Sequence, residues 1–350
     1  MTDHTEMENQ DSMTSAFRRA MCQKRRQERR ERSLQNFLTW WTNRDIQEKL
    51  SRHVMEQPQL LEAVADFLRY HALRQLYPDL PMRPMLVTGP SGCGKTEVWR
   101  CVQRLFSDVF HVTIADGSCI TSEGWSGSTK FRSFLTNDMA NGGILVIDEF
   151  DKLVTPTYSS SGDNVSYRIQ AELLKLMEGD AVSMDHGKIT SVTFENIGIV
   201  LTGAFASLHQ APKTKSQEVG FLSAPKAAPS RSIQEEDLIQ YGIMPEILGR
   251  IAVRTQVHDL DSAAYRRILL NENSRVSQLL KVLKTQNLEF GDLISSQELD
   301  SLISVSKSQH LGVRWVSAQV ENRILKKMRS IRFIFPREEE EEDLDLASDF

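Results

Sequence analysis

Two runs of residues have the types and spacing to do chemistry. Gly89-Pro90-Ser91-Gly92-Cys93-Gly94-Lys95-Thr96 satisfies G-x-x-x-x-G-K-[ST] at every fixed position. Glycines there let backbone N–H groups converge on phosphate oxygens, and a helix opening behind them presents an end that favours anions. Lys95 supplies a cation for the β- and γ-phosphates, and Thr96 a hydroxyl for Mg²⁺. Further on, Asp148-Glu149 follows the apolar run Ile144–Ile147. Carboxylates at the C-terminal end of a parallel strand stand where such sheets bind ligands. Asp148 suits the Mg²⁺ shell, and Glu149 suits polarising an attacking water. Alone, each run has a plain reading, a glycine turn or two solvated charges. Together they point to binding and hydrolysis of ATP with magnesium.

Such groups need a scaffold, and the pattern around them supplies one. Met85–Thr88, Phe110–Ile114, Ile144–Ile147, Ile197–Thr202 and Ile251–Thr255 are short and nearly all apolar, as strands covered on both faces are. Helical patterns such as Glu97–Phe106 and Ile169–Glu178 lie between them. The alternation predicts an α/β fold, a parallel sheet with helices on both sides. Before it, Leu60, Leu61, Val64, Phe67, Leu68 and His71 recur at helical spacing until Pro78–Pro84 breaks the helix. From about Leu260 the pattern is wholly helical, and Val316, Val320, Ile324, Met328 and Ile331 form a stripe on the last helix. Gln210–Glu236 has little periodicity and reads as a long surface loop. The expected organisation is a polar extension over 1–46, disordered or helical only when bound, with a short amphipathic helix near Leu34–Trp41. An α/β nucleotide domain follows over 47–257, then a small helical lid over 258–335 and an acidic tail over 336–350.

Taken in order, these segments resemble the AAA+ ATPases of the Clp family, the ClpX type first and the HslU type next, from about Leu50 to Ile331. Leu50–His71 is similar to the family's segment ahead of the phosphate loop, where Val54 and Met55 would pack on adenine. Ile147–Leu153 (IDEFDKL) is similar to its Walker B segment, and Leu173–Gly179 (LLKLMEG) to the helix that follows. Thr202–Phe205 (TGAF) resembles the sensor-1 strand end, which makes Thr202 the polar residue near the γ-phosphate. Tyr241–Val253 (YGIMPEILGRIAV) resembles the segment ending in the arginine finger, which implies that role for Arg250. Gly312-Val313-Arg314 resembles sensor 2, so that Arg314 would touch the nucleotide from the small domain. The resemblance implies an AAA+ module of α/β domain and helical lid, with ATP and Mg²⁺ as ligands, working as a homo-hexamer.

The same resemblance says what the energy would move. Gly124-Trp125-Ser126-Gly127 falls where ClpX-like proteins carry an aromatic pore loop that grips a polypeptide, with Trp125 in place of the usual Tyr. Val219-Gly220-Phe221 falls where they carry a tripeptide that docks on a ClpP-type peptidase. There are departures. The family's zinc-binding N-terminal domain is not read here, and a basic extension stands in its place. Glu56 occupies a position where glycine is common ahead of Gln57. Ala181–Val192 is shorter than its counterpart.

Composition bounds the rest. The chain has 350 residues, is 40% hydrophobic and carries a formal charge of −5, enough for one large or two moderate cores. Its charge is uneven, with Phe17–Ser33 strongly basic and Glu338–Asp345 strongly acidic. The basic run reads either as a solvated helix or as a binding segment for nucleic acid, membrane or an acidic protein, and the tail as a solubilising one. The four cysteines, Cys22, Cys93, Cys101 and Cys119, form no C-x-x-C pair, which argues against a zinc knuckle or disulfide framework. No apolar run reaches the length of about eighteen residues that a membrane span needs. The expectation is a soluble, cytoplasmic ATP-dependent protein unfoldase and translocase that delivers chains to a ClpP-type peptidase. The alternatives are a remodelling ATPase acting without a peptidase and a nucleic-acid-associated ATPase using the basic N-terminus.

Overall fold

The computed structural model describes residues 2–121, 129–158, 162–179, 182–185, 189–192, 194–209, 232–286, 288–309 and 311–329. Contacts divide the chain into two compact units, Met1–Ala264 and Tyr265–Phe350.

The first unit is built on a five-stranded parallel sheet. Its strands are β1 (Met85–Thr88), β2 (Val112–Asp116), β3 (Ile144–Asp148), β4 (Gly198–Gly203) and β5 (Val253–Gln256), in the spatial order β2-β3-β4-β1-β5. Every residue of β1 and β4 is buried, which explains the unbroken apolar runs in the sequence. All five expected strands are present; β1 coincides with its expected run, and the other four differ from theirs by one or two residues at one or both ends. Phe110 and Ile197 lie just outside their strands, packed in the core. The register pairs Ile147 of β3 with Leu201 of β4 and Thr88 of β1 with Gly203 of β4. The C-terminal ends of three neighbouring strands therefore meet at one edge.

The N-terminal segment differs from the expectation. It forms one helix, α1 (Thr2–Trp40), not a disordered extension with a short amphipathic piece. Two physical reasons account for this. Arg, Gln, Glu, Met and Lys, which dominate it, are all good helix formers. Its last turns are also anchored: Leu34 and Phe37 are buried, and the Phe37 ring meets Phe106 and Phe110 edge-on at 5.8 and 5.0 Å. Arg30 reaches across to Gln75, whose amide donates to Gly142 O at 3.1 Å. Upstream, residues 21–29 are exposed. Thr42 then caps α2 (Asn43–Ser51) through a reciprocal bond with Asp45.

Helix α3 (Pro58–Leu76) buries the predicted stripe, including Leu60, Val64, Leu68 and His71. Helix α4 (Lys95–Leu105) follows β1 and buries Val98, Trp99 and Val102. The short α5 (Phe150–Val154) follows β3, and α6 (Val165–Met177) and α7 (Pro245–Arg250) complete the set that frames the site. The buried amide of Gln170 on α6 donates to Gly242 O at 2.9 Å and accepts from Met244 N at 2.8 Å, fixing α6 against the start of α7. A two-stranded antiparallel hairpin, Val182–Asp185 with Ile189–Val192, follows α6. Glu235 and Glu236, read as the end of a loop, instead open a short helix, Glu235–Tyr241.

The described residues of the second unit form helices and their connections, in keeping with the expected helical part. Its main elements are α8 (Arg275–Lys284), α9 (Ser296–Ser308) and α10 (Gly312–Met328). Val316, Val320 and Ile324 are buried along α10. Ile331 and the acidic tail lie outside the described residues. Among the described residues, no helix is long and apolar enough to cross a membrane.

Candidate functional site

Residues 89–94 form the turn between β1 and α4, and two glycines there are fixed by their surroundings. Gly89 has φ +138°, and a Cβ on it would lie 2.4 Å from Val257. Gly94 has φ +92°, and its Cβ would lie 2.9 Å from the Val54 side chain. No other residue type fits such positions without displacing neighbours. The backbone of Pro90, Ser91, Gly92 and Cys93 is thereby held in a tight cradle leading into the α4 N-terminus.

Val54 is buried against this loop, and Met55 beside it is half-buried. Glu56 has φ +63°. Glycine adopts that conformation readily, which rationalises why a glycine was expected there. Gln57 is buried and its side-chain amide mimics a peptide: Nε2 donates to His258 O at 2.8 Å and Oε1 accepts from His258 N at 3.3 Å. This clamps the Val54–Met55 edge to the chain just past β5.

Lys95, at the first turn of α4, is buried, and its ammonium donates to Gly89 O at 2.6 Å and Pro90 O at 2.7 Å. Burial pulls its pKa down, while Cys93, Asp148, Asp151 and Glu149 pull it back up. The neighbouring Cys93 thiol is pushed up to about 11 by burial and by Asp259. It therefore stays protonated at neutral pH and is a packing residue, not a nucleophile.

Asp148, at the tip of β3, is the hub. Its Oδ2 accepts from Thr96 Oγ1 at 2.6 Å, and its Oδ1 accepts from Thr202 Oγ1 at 2.5 Å and from the Glu149 N–H at 3.0 Å. Three predicted residues from three separate elements thus meet on one carboxylate. Glu149 is exposed, with φ +52°. That left-handed turn aims its side chain out of the strand. Its carboxyl is held above the ordinary glutamate range, first by desolvation and then by Asp116, Asp148 and Asp151, with Lys152 opposing. A raised value brings a carboxylate closer to the range where it accepts a proton usefully.

Asp151 was not singled out in the sequence. It is 1% exposed, and its Oδ1 accepts from Ala204 N at 3.1 Å, tying α5 to the end of β4. Phe205, fully buried with φ +46°, turns the chain there. The sequence offers no signal for Asp151 beyond its place in IDEFDKL.

Arg250 does not join this cluster. At the last turn of α7, its guanidinium pairs with Glu178 at the C-terminal end of α6. Arg314 lies in the other unit, exposed on the first turn of α10. Trp125 and Val219-Gly220-Phe221 lie outside the described residues.

The donor set fits magnesium with a triphosphate. Thr96, Asp148 and Thr202 offer hard oxygens, Lys95 offers a buried cation, and the loop leads into the N-terminus of α4. Among the described residues, no three His, Cys, Asp or Glu side chains gather as a metal cage. Mg²⁺ needs none, since it keeps waters and takes phosphate oxygens alongside one or two protein ligands.

A family model described as AAA domain (Cdc48 subfamily) matches residues 80–254. The chain is similar to the ATP-dependent Clp protease ATP-binding subunit ClpX of Bacteroides fragilis, 26% identical over 337 residues, covering 85% of this chain and 78% of that protein. It is also similar to the subunit of the same name from Bacteroides thetaiotaomicron, 27% identical over 339 residues, with 85% and 78% covered.

Proposed function

The chain belongs to the AAA ATPases and is of the ClpX-like kind, and on that premise we propose that it works as a ring of identical subunits that unfolds and translocates polypeptides at the expense of ATP. The observation that carries the ATPase part is the convergence of Thr96, Thr202 and the Glu149 N–H on Asp148, directly behind the Lys95 loop.

The loop from Gly89 to Gly94 and the Lys95 ammonium hold the phosphates, and Val54 and Met55 pack on the base. Thr96 and Asp148 would hold Mg²⁺, which would supply charge neutralisation at the phosphates. Thr202 fixes the Asp148 carboxylate and stands beside the terminal phosphate. Glu149 orients water and takes its proton. Arg250 acts across the subunit boundary on the charge that develops as the phosphoryl group leaves, and Arg314 keeps the nucleotide-contacting role that the family resemblance implies. An arginine supplied in trans is worth several orders of magnitude in rate in other nucleotide hydrolases, so hydrolysis would depend on assembly.

Trp125 would line the pore and grip the chain through aromatic contact, which needs no particular sequence. Val219-Gly220-Phe221 would dock a ClpP-type peptidase. The name of the relatives, a Clp protease ATP-binding subunit, supports this part. The test is binding to ClpP in the presence of a slowly hydrolysed ATP analogue, comparing the wild type with Phe221→Ala. Binding that is lost in the variant is expected. No binding by the wild type would leave a remodelling ATPase that acts without a peptidase.

A further inference from the structure

The pairing of Arg250 with Glu178 is the part of the site that the family reading leaves unexplained. Glu178 caps the C-terminus of α6, and its own N–H is bonded back to the Leu174 and Lys175 carbonyls. A carboxylate is disfavoured at that end, where unpaired carbonyls already concentrate negative charge. Arg250 ends α7, where a cation is favoured.

The two helix ends do not meet by the wandering of long side chains. The buried Gln170 amide locks α6 to the segment entering α7. Leu173, Leu176 and Met177 of α6 share one buried core with Ile247 and Leu248 of α7. The meeting is therefore built into the backbone. It is also a poor stability device, since the side chains are 42% and 36% exposed, and exposed ion pairs add little to folding. Among the described residues, Glu178 is the one hydrogen-bond partner of the Arg250 guanidinium. Glu178 holds Nη2, and no other described residue takes the remaining N–H groups of the planar fork.

We infer that Glu178 is the positioning residue of Arg250. It grips one corner of the guanidinium so that the remaining donors are presented, already oriented, to the terminal phosphate bound by the adjoining subunit. This rests on the trans role proposed for Arg250. Because Glu178 acts through Arg250, its contribution should be confined to the step in which Arg250 acts. Orientation supplied in advance lowers the barrier to that step without altering how tightly ATP is first held.

Steady-state ATPase measurements on the full chain test it, with Glu178→Ala, Glu178→Asp, Arg250→Ala and the double variant Glu178→Ala/Arg250→Ala. Glu178→Ala should lower kcat roughly tenfold with KM for ATP within about twofold, and Glu178→Asp should recover part of the loss. The double variant should be no slower than Arg250→Ala alone, because residues acting as a unit are not additive. Sizing with a slowly hydrolysed analogue should show the wild-type assembly for every variant. A wild-type kcat in Glu178→Ala overturns the inference. So does a loss that multiplies fully on top of Arg250→Ala, or a loss explained by smaller species on sizing. A wild-type kcat in Arg250→Ala itself removes the premise, and that outcome is distinct from a failure of Glu178.

Discussion

Thr202 and Asp148 sit on adjacent parallel strands, and the Thr202 hydroxyl donates to Asp148 Oδ1 at 2.5 Å. Thr202 is completely buried, while Asp148 is partly open to solvent. The bond leaves Oδ1 shared between Thr202 and the Glu149 N–H, and Oδ2 turned toward Thr96. Thr202 and Thr96 thus fix the rotation of the carboxylate proposed to face Mg²⁺.

Thr202→Val keeps the shape and removes the donor. The β4 core should tolerate it at a cost of about 1 kcal/mol. Turnover should fall by one to two orders of magnitude, as roughly expected when a carboxylate loses its orienting bond at a metal position. Binding of a fluorescent ATP analogue should change by less than about fivefold, because the loop and Lys95 are untouched. Stopped hydrolysis assays and equilibrium titrations on one preparation separate the two effects.

Glu149→Gln should retain ATP and turn over at least about a hundredfold more slowly, since proton acceptance is lost while charge at the rim falls. The pH dependence adds an independent check. The base role proposed for Glu149 requires the ionised form, and its environment raises its pKa. The acid limb of kcat/KM should therefore lie above the ordinary glutamate range. Asp116→Asn removes one carboxylate that raises Glu149, so the limb should move to lower pH. An unmoved limb would assign it to a different group.

His71 gives a stability prediction away from the chemistry. It is buried on α3, stacked on Phe67 at 5.9 Å, and its Nε2 lies 3.0 Å from Gly142 O. A carbonyl can only accept, so Nε2 carries the proton. Burial lowers its pKa from 6.5 to about 4. The unfolded chain then binds a proton that the folded chain refuses anywhere between those values, so stability is full above about pH 6.5 and is lost as pH falls toward about 4. The loss approaches about 3 kcal/mol if this group acts alone. Urea midpoints across that range should fall with pH, and less steeply in His71→Gln. Equal slopes would show that other groups dominate.

The candidate site at the ends of β1 and β3 was legible because its residues are neighbours in sequence. Gly89 to Thr96 must be contiguous to form a cradle, and Asp148 must end a strand. The strands were legible because burial on both faces removes polar residues. The extent of α1 was not, because a run of Arg, Gln and Glu suits an exposed helix and a disordered arm equally well. Only the docking of Leu34 and Phe37 against Phe106 and Phe110 distinguishes them. The pairing of Glu178 with Arg250 and the clamp of Gln57 on His258 were also hidden. They join residues far apart in the chain, and neither a glutamate nor a glutamine announces its partner.

The central claim is that each ATP site is completed by a neighbouring subunit through Arg250. Mixing Arg250→Ala subunits into the wild type at increasing ratio, while measuring ATPase activity at fixed total protein, tests it most directly. The account predicts activity that falls well below the proportional average, because one altered subunit disables a wild-type neighbour's site. A straight line joining the two pure proteins would contradict it.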